Sequence, residues 1–350
     1  MENSPVPSLN LKAERRYSSN IGMALLIYAV LSLVLQFAGQ YLLAQFAPKL
    51  LDNSFVFYTA LLLPTYLLGT PICALTMRFS RPEKIEKKKL RPRHFFIAVL
   101  MCFPIMYAGN MIGMLVGTLA DKLCDGQSGI AELITDSNPL ANLIFVVILA
   151  PIVEEFIFRK LVVDRFVRYG ELTAVLCSGL LFGLFHGNFY QFFYAAMLGM
   201  FFAFIYVKTG RLRITVLLHM IINFFGGLVG PAVLELLGPD YEITLTSALE
   251  ILTSEEAYAS SEAMLAAMEE FTETVLPLLP GMLALTVYET LFFAAIIAGF
   301  VLLIVFRRRF KFSPGQVRLG SSAFSVTWVN CGIILFSIMC AVLFALNLTA

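Results

Sequence analysis

Several polar side chains that can exchange protons or donate hydrogen bonds lie inside long apolar stretches of this sequence. They are Glu154, Glu155, His186, His219 and Asn223. An ionisable side chain near the middle of a bilayer costs about 2.5–3.5 kcal/mol on insertion scales, so such a residue is a functional candidate. A carboxylate and an imidazole can activate a water molecule, and imidazole and amide N–H groups can stabilise an oxyanion. The set therefore favours a hydrolytic active site.

The two adjacent glutamates differ in their local surroundings. Neighbouring residues of an α-helix point about 100° apart, so Glu154 and Glu155 cannot both face one spot. Glu155 and Arg159 are i,i+4 and share a face, where an ion pair would offset part of the cost of burial. We therefore predict that Glu155 and Arg159 are structural, and that the unpaired Glu154 takes a proton from water. In the alternative interpretation, both acids are half-solvated at the membrane interface.

Two further i,i+4 pairs contain the histidines. Phe182 precedes His186 by four residues, so its ring can pack beside the imidazole and limit its orientation. His219 precedes Asn223 by four residues, which places two hydrogen-bonding groups on one helix face. Taken singly, His186 could be structural, and the His219–Asn223 pair could be a polar contact between membrane helices.

The composition determines the kind of element that must position these side chains. The sequence has 350 residues, of which 59% are hydrophobic and 14% charged, and the mean hydropathy is +0.82. Apolar runs of about 20 residues match the length of a helix that crosses a bilayer. We predict an all-α, polytopic transmembrane helical bundle with about eight to nine spans. The nine candidate spans are 21–47, 55–78, 95–119, 140–158, 171–187, 189–206, 213–234, 281–306 and 324–348.

The charges predict the topology. If the nine spans alternate in direction, all 25 basic residues except Lys49 and Lys122 lie on the side of the N-terminus. The protein is thus expected in a cell membrane, with its N-terminus and basic loops on the cytoplasmic side according to the positive-inside rule. A bacterial source is preferred. The predicted organisation is a cytoplasmic tail (1–20), spans 1–3 (21–139) with a basic cytoplasmic loop (78–94), a catalytic core of spans 4–7 (140–234), an acidic extracytoplasmic segment (235–280) and spans 8–9 (281–350). The acidic segment is either a small helical cap or a partly disordered loop.

Three motifs occur in order within the hydrophobic helices: Glu154-Glu155-x-x-x-Arg159, Phe182-x-x-x-His186 and His219-x-x-x-Asn223. Together they resemble the signature of the CPBP family, which comprises CAAX prenyl endopeptidases and bacteriocin-processing, Abi-like enzymes. The resemblance covers residues 140–228.

The resemblance implies an intramembrane endopeptidase whose substrates are membrane-associated peptides or proteins. By motif position, Glu154 and His186 would activate water, and His219 and Asn223 would stabilise the oxyanion. Glu155, Arg159 and Phe182 would support them.

The resemblance leaves the role of a metal open. No cofactor is favoured, because the family's prenyl endopeptidases are thought to act without metal. In the alternative, Glu154, His186 and His219 supply a two-histidine, one-carboxylate site for a divalent ion such as Zn²⁺.

Other functions are harder to reconcile with the sequence. It contains no His-Glu-x-x-His motif for a zinc protease, and no feature suggests a nucleic-acid partner. The rival hypothesis is a non-catalytic membrane protein, acting in peptide immunity, as an adaptor or in transport. Its buried polar residues would then be structural or form an ion path. The physiological substrate cannot be predicted.

The expected depths of the candidate residues in the membrane disagree at one point. Glu154 lies about 21 Å along its helix from Arg168, and His186 is similarly far from Glu171. His219 lies only about 9–12 Å from the basic residues that precede it. The sequence therefore predicts that the connection 207–213 dips into the protein or that the helix after it is strongly tilted.

Overall fold

The computed structural model describes residues 9–124, 138–238 and 240–348. The described residues form helices and no β-strand beyond one isolated bridge between Gly170 and Pro314, which confirms the all-α prediction. In chain order the helices are α1 (Leu11–Phe46), α2 (Ser54–Met77), α3 (Pro92–Cys124), α4 (Pro139–Tyr169), α5 (Glu171–Phe185), α6 (Phe189–Thr209), α7 (Leu212–Glu235), α8 (Tyr241–Thr253), α9 (Ser261–Arg309), α10 (Gly320–Thr327) and α11 (Cys331–Asn347).

The helix lengths confirm a polytopic bundle, in which one of the nine candidate spans is too short to cross a membrane. In the described ranges, 7 helices are long and apolar enough to cross a membrane, or 8 if α10 and α11, bent by 53°, form one broken span. The predicted span 171–187 is instead the 15-residue helix α5, about 22 Å long, which is shorter than a bilayer core. The predicted tail 1–20 is helical from Leu11 onward, where Asn10 caps α1.

Helices α5 and α6 form an antiparallel hairpin at the centre of the bundle. Their open ends meet where Lys208 forms an ion pair with Glu171. A Cβ atom on Gly183 would lie 2.8 Å from the Phe192 carbonyl oxygen, so only glycine permits this approach of the two backbones. On its other side α6 packs against α3, while α1 packs against α2 and α11. The hairpin therefore presents the end of α5, which carries His186, inside the bundle.

The basic segments interlock at one end of the bundle. Residues 78–91, which we call the basic strap, link α2 to α3 and cross the ends of α4 and α6. The Glu83 amide donates to the Asp164 carbonyl at 2.6 Å, and the Lys88 amide donates to the Thr209 carbonyl at 2.8 Å. The predicted gathering of basic segments at one end is thus observed. That this end faces the cytoplasm stays a prediction.

The basic strap also accounts for the depth of His219. The connection between α6 and α7 is a tight turn in which Gly210 has φ +59°. Thr209 and Gly210 are buried, and the Nε of Arg211 donates to the Lys88 carbonyl at 2.8 Å. The turn therefore lies beneath the strap, inside the protein, as the short distance to His219 predicted.

The segment 235–280 is largely helical where it is described. Helix α8 packs against the first part of α9, and the Ser260 side chain caps α9 by accepting from the Ala263 amide. A helical cap was one of the two predicted alternatives. Its boundary with the eighth predicted span lies inside α9, just after a 3-10 turn at Leu276–Leu278.

Candidate active site

The two glutamates of the first motif lie in a short α-helical stretch of α4, Ala150–Glu155, between two π-helical stretches, Leu143–Leu149 and Phe156–Val163. Arg159 lies in the second π-helical stretch. Extra residues in a helical turn change which carbonyl each amide reaches, and such turns are frequent at functional sites. Here the wider turns change the direction in which the glutamates point.

Pro151 couples this distortion to Asn223. The Ala150 amide donates to the Phe145 carbonyl, five residues earlier. Pro151 has no N–H, so the next carbonyl, that of Val146, lacks the amide that would bond to it. The Nδ2 of Asn223 donates to that carbonyl at 2.9 Å. Because an amide nitrogen carries two hydrogens, Asn223 retains a second N–H for another acceptor.

Glu155 and Arg159 form the predicted i,i+4 ion pair in the protein interior. The Arg159 Nη2 lies 2.9 Å from the Glu155 Oε1, and both side chains are 0% exposed. Arg159 also donates from Nη1 to the Ser178 hydroxyl at 2.9 Å, and that hydroxyl donates to the Phe158 carbonyl at 2.9 Å. A chain of hydrogen bonds therefore links α4 to α5 below the two glutamates.

Aromatic rings enclose the guanidinium of Arg159. Its Cζ atom lies 5.0 Å from the centre of the Phe182 ring and 5.8 Å from that of Phe202. Both rings also contact the imidazole of His219, at centroid distances of 5.8 and 5.6 Å. Phe182 thus packs against both histidines, because it also meets the His186 ring edge-to-face at 4.8 Å.

His219 lies between the two adjacent glutamates. Its Nδ1 is 3.1 Å from the Glu155 Oε1, and its Nε2 is 3.7 Å from the Glu154 Oε2. The two acids thus do not face one spot, although the same imidazole lies beside both. They point in different directions, but each reaches a different nitrogen of one imidazole. Because Arg159 favours the ionised form of Glu155, Nδ1–H is the donor to that carboxylate, and Nε2 faces Glu154.

His186 is held at the turn between α5 and α6. Its Nδ1 lies 2.9 Å from the Phe182 carbonyl, and since a carbonyl only accepts, Nδ1 carries the hydrogen. In the neutral ring Nε2 then has a free lone pair. Gly187 has φ +68°, and Asn188 caps α6 by accepting from the Gln191 amide at 2.8 Å. The turn therefore fixes both the position and the tautomer of His186.

The predicted residues converge on one cavity of about 360 Å³. Glu154, Phe182, His186, His219 and Asn223 all line it, whereas Glu155 and Arg159 lie behind its wall. The Glu154 side chain is 22% exposed. A proton acceptor, two imidazoles and an amide therefore face a common space large enough to hold part of a peptide.

Sequence reasoning missed some polar residues at this site. Asn110 and Gln191 line the cavity, and Ser178 supports Arg159 from behind. Asn110 is an isolated amide in a long apolar run, which is the signal that identified Asn223. Ser178 carried no such signal, because a single serine is common in membrane helices.

The histidines of the alternative metal set each have one ring nitrogen hydrogen-bonded within the protein. Across residues 9–124, 138–238 and 240–348, no group of three or more His, Cys, Asp or Glu side chains is arranged to hold a metal ion. His219 directs one nitrogen to Glu155, and His186 directs one to a backbone carbonyl. Both hydrogen bonds use Nδ1 and leave Nε2 of each imidazole uncommitted, an arrangement that metal-ligating histidines also show, so the metal set of Glu154, His186 and His219 stays an open alternative.

Comparison with known proteins points to a protease family. Residues 136–225 match the family model described as type II CAAX prenyl endopeptidase Rce1-like, and this range contains all three motifs. The membrane-embedded CAAX protease MroQ of Staphylococcus aureus is 26% identical over 57% of this chain and 87% of its own length. The putative membrane peptidase YdiL of Bacillus subtilis is 32% identical over 22% of this chain and 32% of its own length. No solved structure matches the chain significantly.

The match to the family model and the two bacterial relatives agree with the resemblance seen in the three motifs, and they relate residues 136–225 of this multi-pass membrane protein to the CPBP family of proteases.

Proposed function

We propose that the protein is an intramembrane endopeptidase in which Glu154 and His186 activate water and His219 and Asn223 stabilise the oxyanion. One observation carries the proposal: these four side chains come from α4, α5 and α7 and line one cavity within the bundle. A purely structural role would not require all four to face a common space. Similarity to a protease family supports hydrolysis as the reaction.

Water activation is assigned to Glu154 and His186. Among the described residues Glu154 pairs with no lysine or arginine, and its one ion-pair contact is with Nε2 of His219 at 3.7 Å. His186 offers the lone pair of Nε2 because its Nδ1 is bonded to the Phe182 carbonyl. Glu154 accepts a proton from water while the water oxygen attacks the carbonyl carbon of the scissile peptide bond. The proton then passes to the leaving nitrogen as the C–N bond breaks, which gives a carboxylic acid and an amine.

Oxyanion stabilisation is assigned to His219 and Asn223. Asn223 donates one N–H to the Val146 carbonyl, and its second N–H is available for the oxyanion. His219 can donate from Nε2 when that nitrogen carries a proton, since Nδ1 is bonded to Glu155. Removing one oxyanion donor typically lowers kcat by about 10²–10³.

Glu155, Arg159 and Phe182 are assigned a positioning role. The ion pair orients His219 through Nδ1, and the Phe182 ring packs against the imidazoles of both histidines. These contacts are buried, so they act on the reaction through the histidines.

We further propose that catalysis needs no metal and that the substrates are peptides or proteins at a bacterial cell membrane. The N-terminus and the basic strap would face the cytoplasm, as the charge distribution predicts. We also propose a CAAX-type substrate specificity, because the similar protein MroQ is described as a CAAX protease.

The proposal is tested by following cleavage of membrane-associated peptides by the purified protein in detergent. We expect Glu154→Gln, His186→Ala and His219→Ala to lose activity. Glu289→Gln is a matched control, because Glu289 is also an acid in an apolar helix but does not line the cavity. Wild-type cleavage by all three cavity variants would refute the assignment. If the protein's effect in cells survived Glu154→Gln, a non-catalytic binding role would be favoured.

A further inference from the structure

A second cavity, of about 500 Å³, lies at the basic end of the bundle, where the basic strap passes α4 and α7. Its lining includes four cations and no carboxylate. The lining residues are Lys87, Phe156, Lys160, Tyr206, Gly210, Arg211, Leu212 and Arg213. It is separate from the active-site cavity, since the two share no lining residue.

The positive charge of this cavity is only partly neutralised within the protein. Lys160 forms an ion pair with Asp164 at 2.5 Å. Within the described ranges, Lys87, Arg211 and Arg213 form no ion pair with a carboxylate, although Arg211 donates from Nε to the Lys88 carbonyl. A cleft lined by three cations without a paired carboxylate has a positive potential that attracts an anionic ligand.

A smaller cavity of about 290 Å³ adjoins the first. Arg211 and Arg213 line both cavities, and Lys89 adds another cation to the smaller one. Its remaining lining residues are apolar: Leu90, Phe95 and Ile214. Apolar side chains thus border the cationic region on this side, and Phe156 and Leu212 do so within the first cavity. Toward the strap, Lys87 and Lys160 also line a third cavity, which contains the carboxylates of Glu86 and Asp164.

This combination fits an amphiphile better than a free anion. A phosphate group would meet the cations, while a hydrocarbon chain would lie along Phe156 and Leu212. Basic pockets between membrane helices at their cytoplasmic ends are suited to the headgroups of anionic lipids. We propose that this cavity binds an anionic phospholipid, with its phosphate among Lys87, Arg211 and Arg213.

The position of the cavity connects the lipid with the active site. Phe156 directly follows Glu155 in α4, and Leu212 lies seven residues before His219 in α7, about 10 Å along the helix. A lipid bound here contacts both helices that carry the Glu155–His219 hydrogen bond, and so it holds them together. The binding itself is independent of the proposed peptidase function, and only its effect on cleavage rests on that function.

Lipid binding is measured by native mass spectrometry of the full-length protein in detergent, titrated with phosphatidylglycerol or phosphatidylcholine. The site variant is Lys87→Gln with Arg213→Gln, and both side chains are exposed. The control is Arg307→Gln with Arg308→Gln, which removes two charges from the end of α9 outside both cavities. We expect phosphatidylglycerol to bind about 30-fold more weakly to the site variant, which corresponds to about 1 kcal/mol for each cation. The control and Glu154→Gln should bind like wild type.

Several outcomes would overturn the proposal. Equal binding of the two lipids, or an equal loss in the control, would mean that no specific site exists. Displacement of phosphatidylglycerol by an equal concentration of inorganic phosphate would assign the cavity to a free anion. The site variant could instead bind the lipid normally but cleave a peptide with a free C-terminal carboxylate more slowly, while cleaving the C-terminally amidated peptide at the wild-type rate. That result would assign the cavity to the substrate. If Glu154→Gln retained cleavage while the lipid results held, the proposed function would fail and the lipid site would stand.

Discussion

Two adjacent glutamates provide an isosteric test of the site, because Glu154→Gln and Glu155→Gln each remove one charge and almost no volume. Glu155 pairs with Arg159 at 2.9 Å, and both side chains are 0% exposed. Removing one partner of a buried ion pair costs about 3–5 kcal/mol, since the other charge stays buried without compensation. Glu154 is 22% exposed, and its nearest charged partner is the Nε2 of His219 at 3.7 Å. We expect Glu154→Gln to change the free energy of unfolding by less than about 1 kcal/mol.

The two variants should therefore separate activity from stability. If Glu154 is the proton acceptor, Glu154→Gln should lower kcat by about 10²–10⁴. Glu155→Gln should lower the stability by about 3–5 kcal/mol and should also slow cleavage, because His219 loses the carboxylate that orients its Nδ1.

Unfolding of each variant is followed by circular dichroism in mixed micelles with an increasing fraction of dodecyl sulfate, and kcat is measured under folding conditions. Glu289→Gln serves as the control for loss of an acid elsewhere in an apolar helix. Equal stability of the two glutamate variants, or full activity of Glu154→Gln, would refute the division of roles.

Three other changes test the surrounding structure. Ser178→Ala removes the acceptor for the Arg159 Nη1, so we expect the free energy of unfolding to fall by about 1–3 kcal/mol in the same assay. Wild-type stability of this variant would contradict the buried hydrogen-bond chain. Gly183→Val places side-chain atoms where a Cβ already lies 2.8 Å from a carbonyl oxygen. We expect this variant to lower the free energy of unfolding by about 1–3 kcal/mol. A Cβ on Gly226 has no neighbour within 4 Å, so the control Gly226→Ala should leave the stability unchanged within about 1 kcal/mol. Strong chelators should leave the cleavage rate unchanged, and a loss of activity that added Zn²⁺ restores would contradict the metal-free proposal.

Local geometry explains why part of the site could be predicted from the sequence. The ion pair of Glu155 with Arg159 and the contact of Phe182 with His186 follow from the i,i+4 spacing within one helix. The helical fold likewise follows from apolar runs of the length of a bilayer. These features need no knowledge of how the helices pack.

Contacts between helices were beyond sequence reasoning. The contacts of His219 with both glutamates depend on the distance and rotation between α4 and α7, which no periodicity encodes. The length of α5 was misjudged for a related reason. Apolar residues continue on both sides of Gly187 and Asn188, so hydropathy cannot distinguish a short helix that ends in the bundle from a complete span.

The hydrogen bond of Asn223 shows how the distortion of α4 and the proposed chemistry depend on each other. Pro151 deprives the Val146 carbonyl of its amide partner, and an unsatisfied carbonyl in an apolar environment is costly. Asn223 satisfies that carbonyl from α7 at 2.9 Å, which fixes the rotation of its amide group. The second N–H is then held in a defined direction beside the cavity that Glu154 and His186 also line. A proline that weakens one helix thus creates the acceptor that orients a proposed oxyanion donor on another, so the irregular backbone of α4 is part of the site.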